Sequence, residues 1–246
     1  LFDCGSGVTQ RLNAAGVKSS DIEILFVTHL HSDHVMDIYQ LYISGWHQGR
    51  DKKFRIVGPK GTKEFFQNML KAFKNELQGR VQWEQRPNKD GLDYEITEIN
   101  SDYAYKNLNL EIIPFEVDHY PVEPAYGYQI KVSDTEKEKK VVISGDTRKN
   151  ENLINHAMDA DALVHEVFIN LKFDENRMSK KTISNVRDYH TSPKEIGEIA
   201  KAANVKKLIL THFVPPVFDE DFLTKEIRES YKGNLIIGED LLTIEI

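Results

Sequence analysis

Thr28-His29-Leu30-His31-Ser32-Asp33-His34 is the stretch of sequence on which the fold assignment depends. It follows residues 23–27 (EILFV), an apolar run that predicts a buried strand. His29 and His31 are two residues apart, so in an extended loop they face the same side, whereas Asp33 and His34 face a neighbouring position where a helix begins. Imidazole and carboxylate ligands suit zinc, and also manganese or iron. One loop can therefore supply two adjacent metal sites, and so many metal-binding side chains after one strand argue against an incidental polar loop.

Two metal ions need more ligands than this loop contains, and three further candidates come directly after apolar runs. His119 follows LEIIPFEVD, Asp146 follows KVVISG, and His212 follows KLILT. Each residue alone could be structural. Because the same placement recurs three times, we expect these side chains to converge on one sheet edge.

Strand-like and helix-like patterns alternate along the chain, which predicts a single α/β sandwich domain over residues 1–246. Ser192 as N-cap, Pro193 at the first helical position and Glu195 two residues later predict a helix that runs to about Ala203. The other predicted helices cover 35–47, 62–77, 151–158 and 222–231, and the predicted strands cover 54–57, 94–99, 108–117, 126–132, 140–144, 162–165 and 208–210, with a loop at 78–93 and two strand-like runs at the end.

Composition sets limits on the class of protein. The net charge of −7 argues against a broad nucleic-acid surface, and a single cysteine, Cys4, excludes an internal disulfide. No apolar run approaches the roughly 20 residues of a membrane span. Because the chain opens on Leu1-Phe2-Asp3, as if within a strand, we expect a missing N-terminal segment. A cytoplasmic location is favoured, and secretion stays open.

The motif at residues 28–34, with His119, Asp146 and His212 in that order, resembles the metallo-β-lactamase superfamily. The resemblance covers essentially the whole chain. It implies an αββα sandwich, two mixed sheets flanked by helices, that holds two metal ions, zinc first and manganese or iron as alternatives. It implies that one ion is bound by His29, His31 and His119, the other by Asp33, His34 and His212, and that Asp146 is shared. A metal-bridging hydroxide would be the nucleophile, and Asp33 would also orient the water or accept its proton.

Two further segments are similar to the ribonuclease Z group and to arylsulfatase-like hydrolases. These are residues 164–168 (VHEVF) and 189–192 (YHTS). The resemblance implies that His190 protonates the leaving oxygen while Glu166 holds its ring, a pairing that suits a general acid. We therefore expect a dinuclear hydrolase of phosphodiesters or related esters. The alternative is an arylsulfatase or a β-lactamase-type hydrolase with the same metal centre.

The chain departs from the tRNA-processing enzymes in one place. Those enzymes carry a long arm that grips tRNA, in the common bacterial form between the counterparts of His119 and Asp146, and here that interval is only a strand, a turn and a strand. This argues against dedicated tRNA binding and for a small-molecule or nucleotide-like ester substrate. Segments 44–50, 57–61 and 228–233 are similar to a ribonuclease-Z-like subgroup with β-lactam-hydrolysing members.

The sequence leaves two interpretations open for Asp3 and for residues 78–106. Asp3 either supports the metal-binding loop or serves as a turn residue. Residues 78–106, with four aromatics, form either a lid or dimer contact within the domain or a segment packed on the core. His165 is expected to pack behind the site, and His47 and His156 are expected to be surface or packing residues. A homodimer is expected only because related proteins are often dimers. The complete ligand set argues against a non-enzymatic scaffold.

Overall fold

The structure, a computed structural model, describes residues 1–100, 102–133, 138–169 and 178–246. It contains two compact units, Leu1–Ser101 and Asp102–Ile246, and each unit has its own sheet and its own hydrophobic core. The interpretation of residues 1–246 as one domain stays a prediction.

The first unit is built on a parallel sheet with the strand order β1-β2-β3. Its strands are β1 (Ile24–Phe26), β2 (Phe54–Gly58) and β3 (Tyr94–Glu98). Its helices are α1 (Val8–Ala14), α2 (Ser32–Val35), α3 (Ile38–His47), α4 (Thr62–Ala72) and α5 (Lys74–Glu84), with 3₁₀ turns at Ser19–Asp21 and Lys89–Leu92.

Strand β1 is buried along its whole length, as expected of a parallel strand with covered faces. Leu25 packs in a core with Ile38 and Leu41 of α3, Phe54 of β2 and Phe66 of α4. The apolar run 23–27 therefore forms a strand because both of its faces are removed from water. The metal-binding loop starts where this buried strand ends.

The second unit is built on a mixed sheet with the strand order β10-β9-β8-β7-β6-β5-β4. Its strands are β4 (Tyr105–Asn107), β5 (Leu110–Glu116), β6 (Tyr126–Ser133), β7 (Glu138–Ile143), β8 (Ala162–Phe168), β9 (Lys207–Val214) and β10 (Asn234–Ile237). Its helices are α6 (Glu151–Ala157), α7 (Lys180–Asp188), α8 (Pro193–Ala202) and α9 (Glu220–Arg228).

Strand direction decides which residues share an edge of this sheet. Strands β7, β8, β9 and β10 are parallel, whereas β5 and β7 are each antiparallel to β6. Strands β5, β7, β8 and β9 therefore all run the same way, and their carboxyl ends lie at one edge. Helices α6, α8 and α9 contribute apolar side chains to the core beneath, among them Leu153, Ile196 and Ile227.

The capping prediction for α8 is confirmed. The Ser192 side chain accepts a hydrogen bond from the Glu195 backbone, and the Glu195 side chain accepts one from the Ser192 backbone. This reciprocal cap satisfies two N–H groups that the first helical turn leaves without partners. It fixes where α8 begins, directly after His190 and Thr191.

The prediction of a loop at 78–93 is wrong in its first half. Residues 78–84 complete α5, a helix with no buried residue. Ion pairs of Arg80 with Glu76 and Glu84 support it at i,i+4 spacing. The single helix expected at 62–77 is two helices that meet at Phe73.

The helix expected at 35–47 is also interrupted. It divides at Met36 and Asp37 into α2 and α3. The Asp37 backbone N–H donates to the Cys4 carbonyl and its side chain accepts from Thr9, so this residue is held by the start of the chain rather than by the helix. In the second unit, strand β4 and helix α7 were not predicted, and no strand follows β10 among the described residues.

The aromatic residues of segment 78–106 do not share one environment. Tyr94 lies in β3 and packs edge-on against a buried phenylalanine, whereas Trp83 is 89% exposed. Arg50 donates to the Gly91 carbonyl and thereby fixes the segment to the end of α3. Packing therefore explains Tyr94 but not Trp83, and the lid or dimer contact stays a prediction.

None of the helices in the described ranges is both long enough and apolar enough to cross a membrane.

Gly197 tests the close packing of α8 on α9. A Cβ atom at this position would lie 2.6 Å from the Ile227 carbonyl oxygen. We expect Gly197→Ala to lower the free energy of unfolding by about 1–3 kcal/mol, because the two helices must separate. The matched control is Gly79→Ala in α5, where a Cβ atom would meet nothing within 4 Å; it should raise stability by about 0.5–1 kcal/mol. Equal effects in urea denaturation would contradict the packing argument.

Candidate metal centre

The loop after β1 brings its four predicted ligands together within the first unit. His29 Nε2 lies 3.0 Å from His31 Nδ1, and the rings of His29 and His34 are 4.1 Å apart. His34 Nε2 lies 3.7 Å from an oxygen of Asp33. His29 and His34 are buried, whereas the Asp33 side chain is 62% exposed. Asp33 is therefore accessible to water, whereas His29 and His34 are not.

Asp3 orients this loop. Its carboxylate accepts hydrogen bonds from the Thr28 backbone at 2.8 Å and from the Thr28 hydroxyl at 2.9 Å. The same carboxylate contacts His34 Nδ1 at 2.8 Å, and the Thr28 hydroxyl lies 3.0 Å from His29 Nδ1. An Nδ1–H donor on His34 leaves the Nε2 lone pair available to a metal ion. Of the two interpretations of Asp3, support of the loop is the one that these contacts favour.

In the second unit, candidate side chains gather at the shared edge of the sheet. One donor atom each from Asp146, His190 and His212 lies within 4.8 Å of the others. His212 Nε2 is 3.5 Å from an oxygen of Asp146, and the His190 ring is 5.3 Å from that of His119. The four residues follow or belong to different elements, so the fold and not the sequence spacing assembles them.

Buried His119 is fixed by the loop that carries His190. Its Nδ1–H donates to the Tyr189 carbonyl at 2.9 Å, and its ring meets the Tyr189 ring edge-on. This hydrogen bond selects the tautomer whose Nε2 carries the lone pair, as is typical of histidines that bind metal.

His212 is placed by an irregularity of the sheet. The pairing of β8 with β9 shifts between His165 and Val167, whose partners are Leu210 and Phe213. Strand β9 therefore has one extra residue here, and His212 adopts a left-handed φ of 46°. Bulges of this kind redirect a side chain. They cannot be read from a short apolar run, which is why the predicted strand ended at Leu210.

Glu166 is buried beneath these residues, with 1% exposure. Its Oε1 accepts from the Thr191 backbone at 2.9 Å and from the Thr147 backbone at 3.4 Å, and it lies 3.2 Å from His190 Nδ1. Burial, and next the charge of Asp146, raise the pKa of Glu166 well above its usual value. The carboxyl group thus accepts hydrogen bonds from the loops of Thr147 and Thr191 and lies beside the His190 ring.

His165 lies behind the site, as the sequence favoured. It is fully buried, and its Nδ1–H donates to the Glu166 carbonyl at 2.6 Å. Its Nε2 has no hydrogen-bond partner among the described residues. Burial lowers the pKa of His165 to about 4, so the ring is neutral near pH 7.

His47 and His156 are packing residues. The His156 ring stacks on Phe115 at 4.2 Å, and His47 contacts Arg80 at the end of α3. One residue near the site was missed by the sequence analysis. Arg148, two residues beyond Asp146, donates to the loops on both sides, and a cation placed so close to a candidate ligand was the available signal.

The donor atoms within each unit suit a metal ion. Neighbouring donors in a tetrahedral zinc site are about 3.3 Å apart, given metal–nitrogen distances of about 2.0–2.1 Å. The separations of 3.0 Å between His29 and His31 and of 3.5 Å between His212 and Asp146 are close to that value. Imidazole and carboxylate donors do not select zinc over manganese or iron.

Comparison with known proteins indicates the class of enzyme to which the chain belongs. The chain is similar to a ribonuclease Z of Mycobacterium bovis (strain BCG / Pasteur 1173P2), 31% identical over 252 residues that cover 100% of this chain and 87% of that protein. Its structure is similar to the metallo-β-lactamase fold protein YhfI from Bacillus subtilis, with a TM-score of 0.69, 22% identity and coverage of 97% and 83% of the two chains. Human tRNase Z, short form, gives a TM-score of 0.69, 20% identity and coverage of 100% and 87%.

Fold and donor residues together define a metal-dependent hydrolase of the ribonuclease Z and phosphodiesterase type, on a metallo-β-lactamase fold with two sheets flanked by helices. The family model of the Anti-Pycsar protein Apyc1 matches residues 1–213. The chain belongs to this Apyc1 family. The predicted fold class and enzyme class are confirmed, whereas the role of each site residue stays a prediction.

Asp3→Ala tests the support of the metal-binding loop. We expect metal affinity to fall about 10–100-fold, because His34 and Thr28 lose the acceptor that orients them. The measurement is competition for zinc with a chromophoric chelator. The matched control, Asp51→Ala, removes an exposed aspartate and should leave affinity unchanged. Unchanged affinity in Asp3→Ala would show that Asp3 is only a turn residue.

The lowered pKa of His165 predicts a pH dependence of stability. Above its ordinary value of 6.5 the ring is neutral in both the folded and the unfolded chain. As the pH falls from 6.5 to about 4, only the unfolded chain binds the proton, so the free energy of unfolding decreases by up to about 3 kcal/mol. His165→Asn removes the titrating group, and its loss of stability between pH 7 and pH 5 should be smaller by about 2 kcal/mol. Parallel stability curves for the two proteins would contradict this assignment.

Proposed function

We propose that the protein is a phosphodiesterase that hydrolyses cyclic nucleotides at a centre of two metal ions. The observation that supports this most is the cluster of Asp146, His190 and His212 above the buried Glu166 in the second unit. Membership of the Apyc1 family favours a nucleotide substrate. The net charge of −7 favours a small ligand over a nucleic-acid polymer.

The ligand assignment is proposed from the family resemblance together with the donors present in each unit. One ion would be bound by His29, His31 and His119, and the other by Asp33, His34 and His212. Asp146 would be shared. When bound, two such ions lower the pKa of a water molecule and neutralise charge on a phosphoryl group.

The chain's own residues supply the remaining chemistry. His190 Nδ1 lies 3.2 Å from Glu166. We propose that this carboxyl group orients the ring so that Nε2 would give a proton to the leaving oxygen. Asp33, the most exposed donor of its loop, would orient the attacking water or accept its proton. A proton donor and a proton acceptor on different loops suit the displacement of an alkoxide from phosphorus.

Chain length between two candidate ligands supports a small substrate. Strands β6 and β7 pair continuously from Tyr128 with Ile143 to Ser133 with Glu138, so only residues 134–137 separate the last pair. Four residues are too few for an arm that grips tRNA at this place. The expected homodimer stays a prediction.

A substrate panel tests the proposed function. Purified protein loaded with zinc or manganese would be incubated with bis-p-nitrophenyl phosphate, the four 3′,5′-cyclic mononucleotides, a tRNA precursor with a 3′ extension, p-nitrophenyl sulfate and nitrocefin. We expect cyclic nucleotides to be converted to linear monophosphates with the highest kcat/KM. Faster cleavage of the tRNA precursor, the sulfate ester or nitrocefin by the metal-loaded protein would overturn the proposal, and the last two would favour the arylsulfatase or β-lactamase alternative.

His190→Ala separates a proton donor from a metal ligand. We expect it to retain both metal equivalents and to lower kcat about 10²–10⁴-fold. Asp33→Ala should lose metal or nearly all activity. The matched control His47→Gln changes a histidine at the end of α3 and should keep wild-type kcat. Loss of one metal equivalent from His190→Ala would instead make His190 a ligand, an arrangement that its position beside Asp146 also permits.

A further inference from the structure

Arg148 connects its own loop to two other loops of the second unit. On the His119 loop its guanidinium donates to the Asp118 side chain at 2.5 Å and to the Tyr120 carbonyl at 3.1 Å. On the His190 loop it donates to the carbonyl of Asp188 and, at 3.1 Å, to the side chain of the same residue. Its backbone N–H donates to the Asp118 carbonyl at 2.8 Å.

Each partner of Arg148 is close in sequence to a residue of the proposed site. Asp118 precedes His119, Asp188 lies two residues before His190, and Arg148 itself lies two residues after Asp146. If one of these loops moves, the proposed ligand or proton donor on it moves too, because only one or two peptide units separate them.

The loop that carries Arg148 is itself firmly held. Asn150 caps α6 by accepting from the Leu153 backbone at 2.9 Å, and its Nδ2 donates to the Thr147 hydroxyl at 2.9 Å. The Thr191 hydroxyl donates to the Thr147 carbonyl at 2.5 Å. Arg148 thus extends from a fixed base, which allows it to set the position of the other two loops.

Only an arginine can make this set of contacts. Its planar guanidinium carries five N–H donors, and here it reaches two carbonyl oxygens and two carboxylates that lie in different directions. A lysine at the same position would offer donors from a single point. The Asp118 and Asp188 side chains are 49% and 77% exposed, so each ion pair adds little to overall stability. The importance of Arg148 is therefore geometric.

We infer that Arg148 is a positioning residue, which holds the loops of His119, Asp146 and His190 in one arrangement on which metal binding and turnover depend. This inference rests on the proposed function. It adds that the geometry of these loops is set by a cation that is neither a proposed metal ligand nor the proposed proton donor. Small displacements at such sites reduce rates by large factors.

The test compares Arg148→Lys and Arg148→Ala with the matched control Arg187→Lys. Arg187 is an exposed arginine of α7 whose side chain makes no hydrogen bond or ion pair with the described residues. For Arg148→Lys we expect kcat to fall about 10–100-fold and zinc affinity to fall about 10-fold, with KM and the melting temperature nearly unchanged. Millimolar methylguanidinium should restore part of the kcat of Arg148→Ala and should not affect Arg148→Lys. Arg187→Lys should match the wild type.

Hydrogen exchange distinguishes failure of this inference from failure of the proposed function. In Arg148→Lys we expect faster amide exchange at residues 118–120, 146–148 and 188–190 together, and no change in Arg187→Lys. Wild-type kcat, zinc affinity and exchange in Arg148→Lys would overturn the inference even if the enzyme hydrolyses cyclic nucleotides. If the wild type cleaves no phosphodiester, the proposed function fails, and zinc affinity with hydrogen exchange still decides the role of Arg148.

Discussion

A single buried carboxyl group, that of Glu166, is the constraint on which the candidate site of the second unit depends. Burying a carboxyl group costs free energy in either protonation state unless hydrogen bonds replace its hydration. Here the replacement comes from the backbone N–H groups of Thr147 and Thr191, which belong to two different loops. Those loops must therefore lie where their N–H groups can reach Glu166, and this requirement places Asp146 and His190 beside each other. Strand β8 delivers Glu166 to this position because it lies between β7 and β9 in the sheet.

The first unit follows the same principle with a different residue. Asp3, close to the beginning of the chain, accepts from Thr28 and contacts His34, so an acid that is not a proposed ligand arranges the histidines that are. In each unit a carboxyl group lies beside one of these histidines, Asp3 beside His34 and Glu166 beside His190. A metal ion bound by these histidines would meet rings whose orientation is already set, which would lower the entropy lost on binding.

Features that depend on residues close together in sequence were mostly predicted, whereas features that depend on distant neighbours were missed. Apolar runs that end in His or Asp identified the donors at strand ends, because burial of a strand and placement of a ligand at its end are both local in sequence. His190, which follows a helix, was identified only through the resemblance of residues 189–192. The N-terminal cap of α8 was also predicted from the sequence that begins at Ser192. Helix α5 was not, because exposed ion pairs of Arg80 support it without an apolar face. The bulge at His212 and the contacts of Arg148 were also beyond reach, since both depend on neighbours that are distant in the chain.

A water molecule activated by the two proposed metal ions would attack phosphorus, sulfur or carbonyl carbon alike, so selectivity would come from the protein around the site. Here the loops of the second unit are held by Glu166 and Arg148, and the β6–β7 hairpin leaves no length for a tRNA-gripping arm between His119 and Asp146. A polymer substrate usually requires an extended basic surface to release counterions, and the chain's net charge of −7 is unfavourable for one. A cyclic nucleotide carries one negative charge and is small enough to be held by a few fixed groups. The short connection between β6 and β7 and the acidic net charge therefore support the proposed small phosphodiester substrate over RNA.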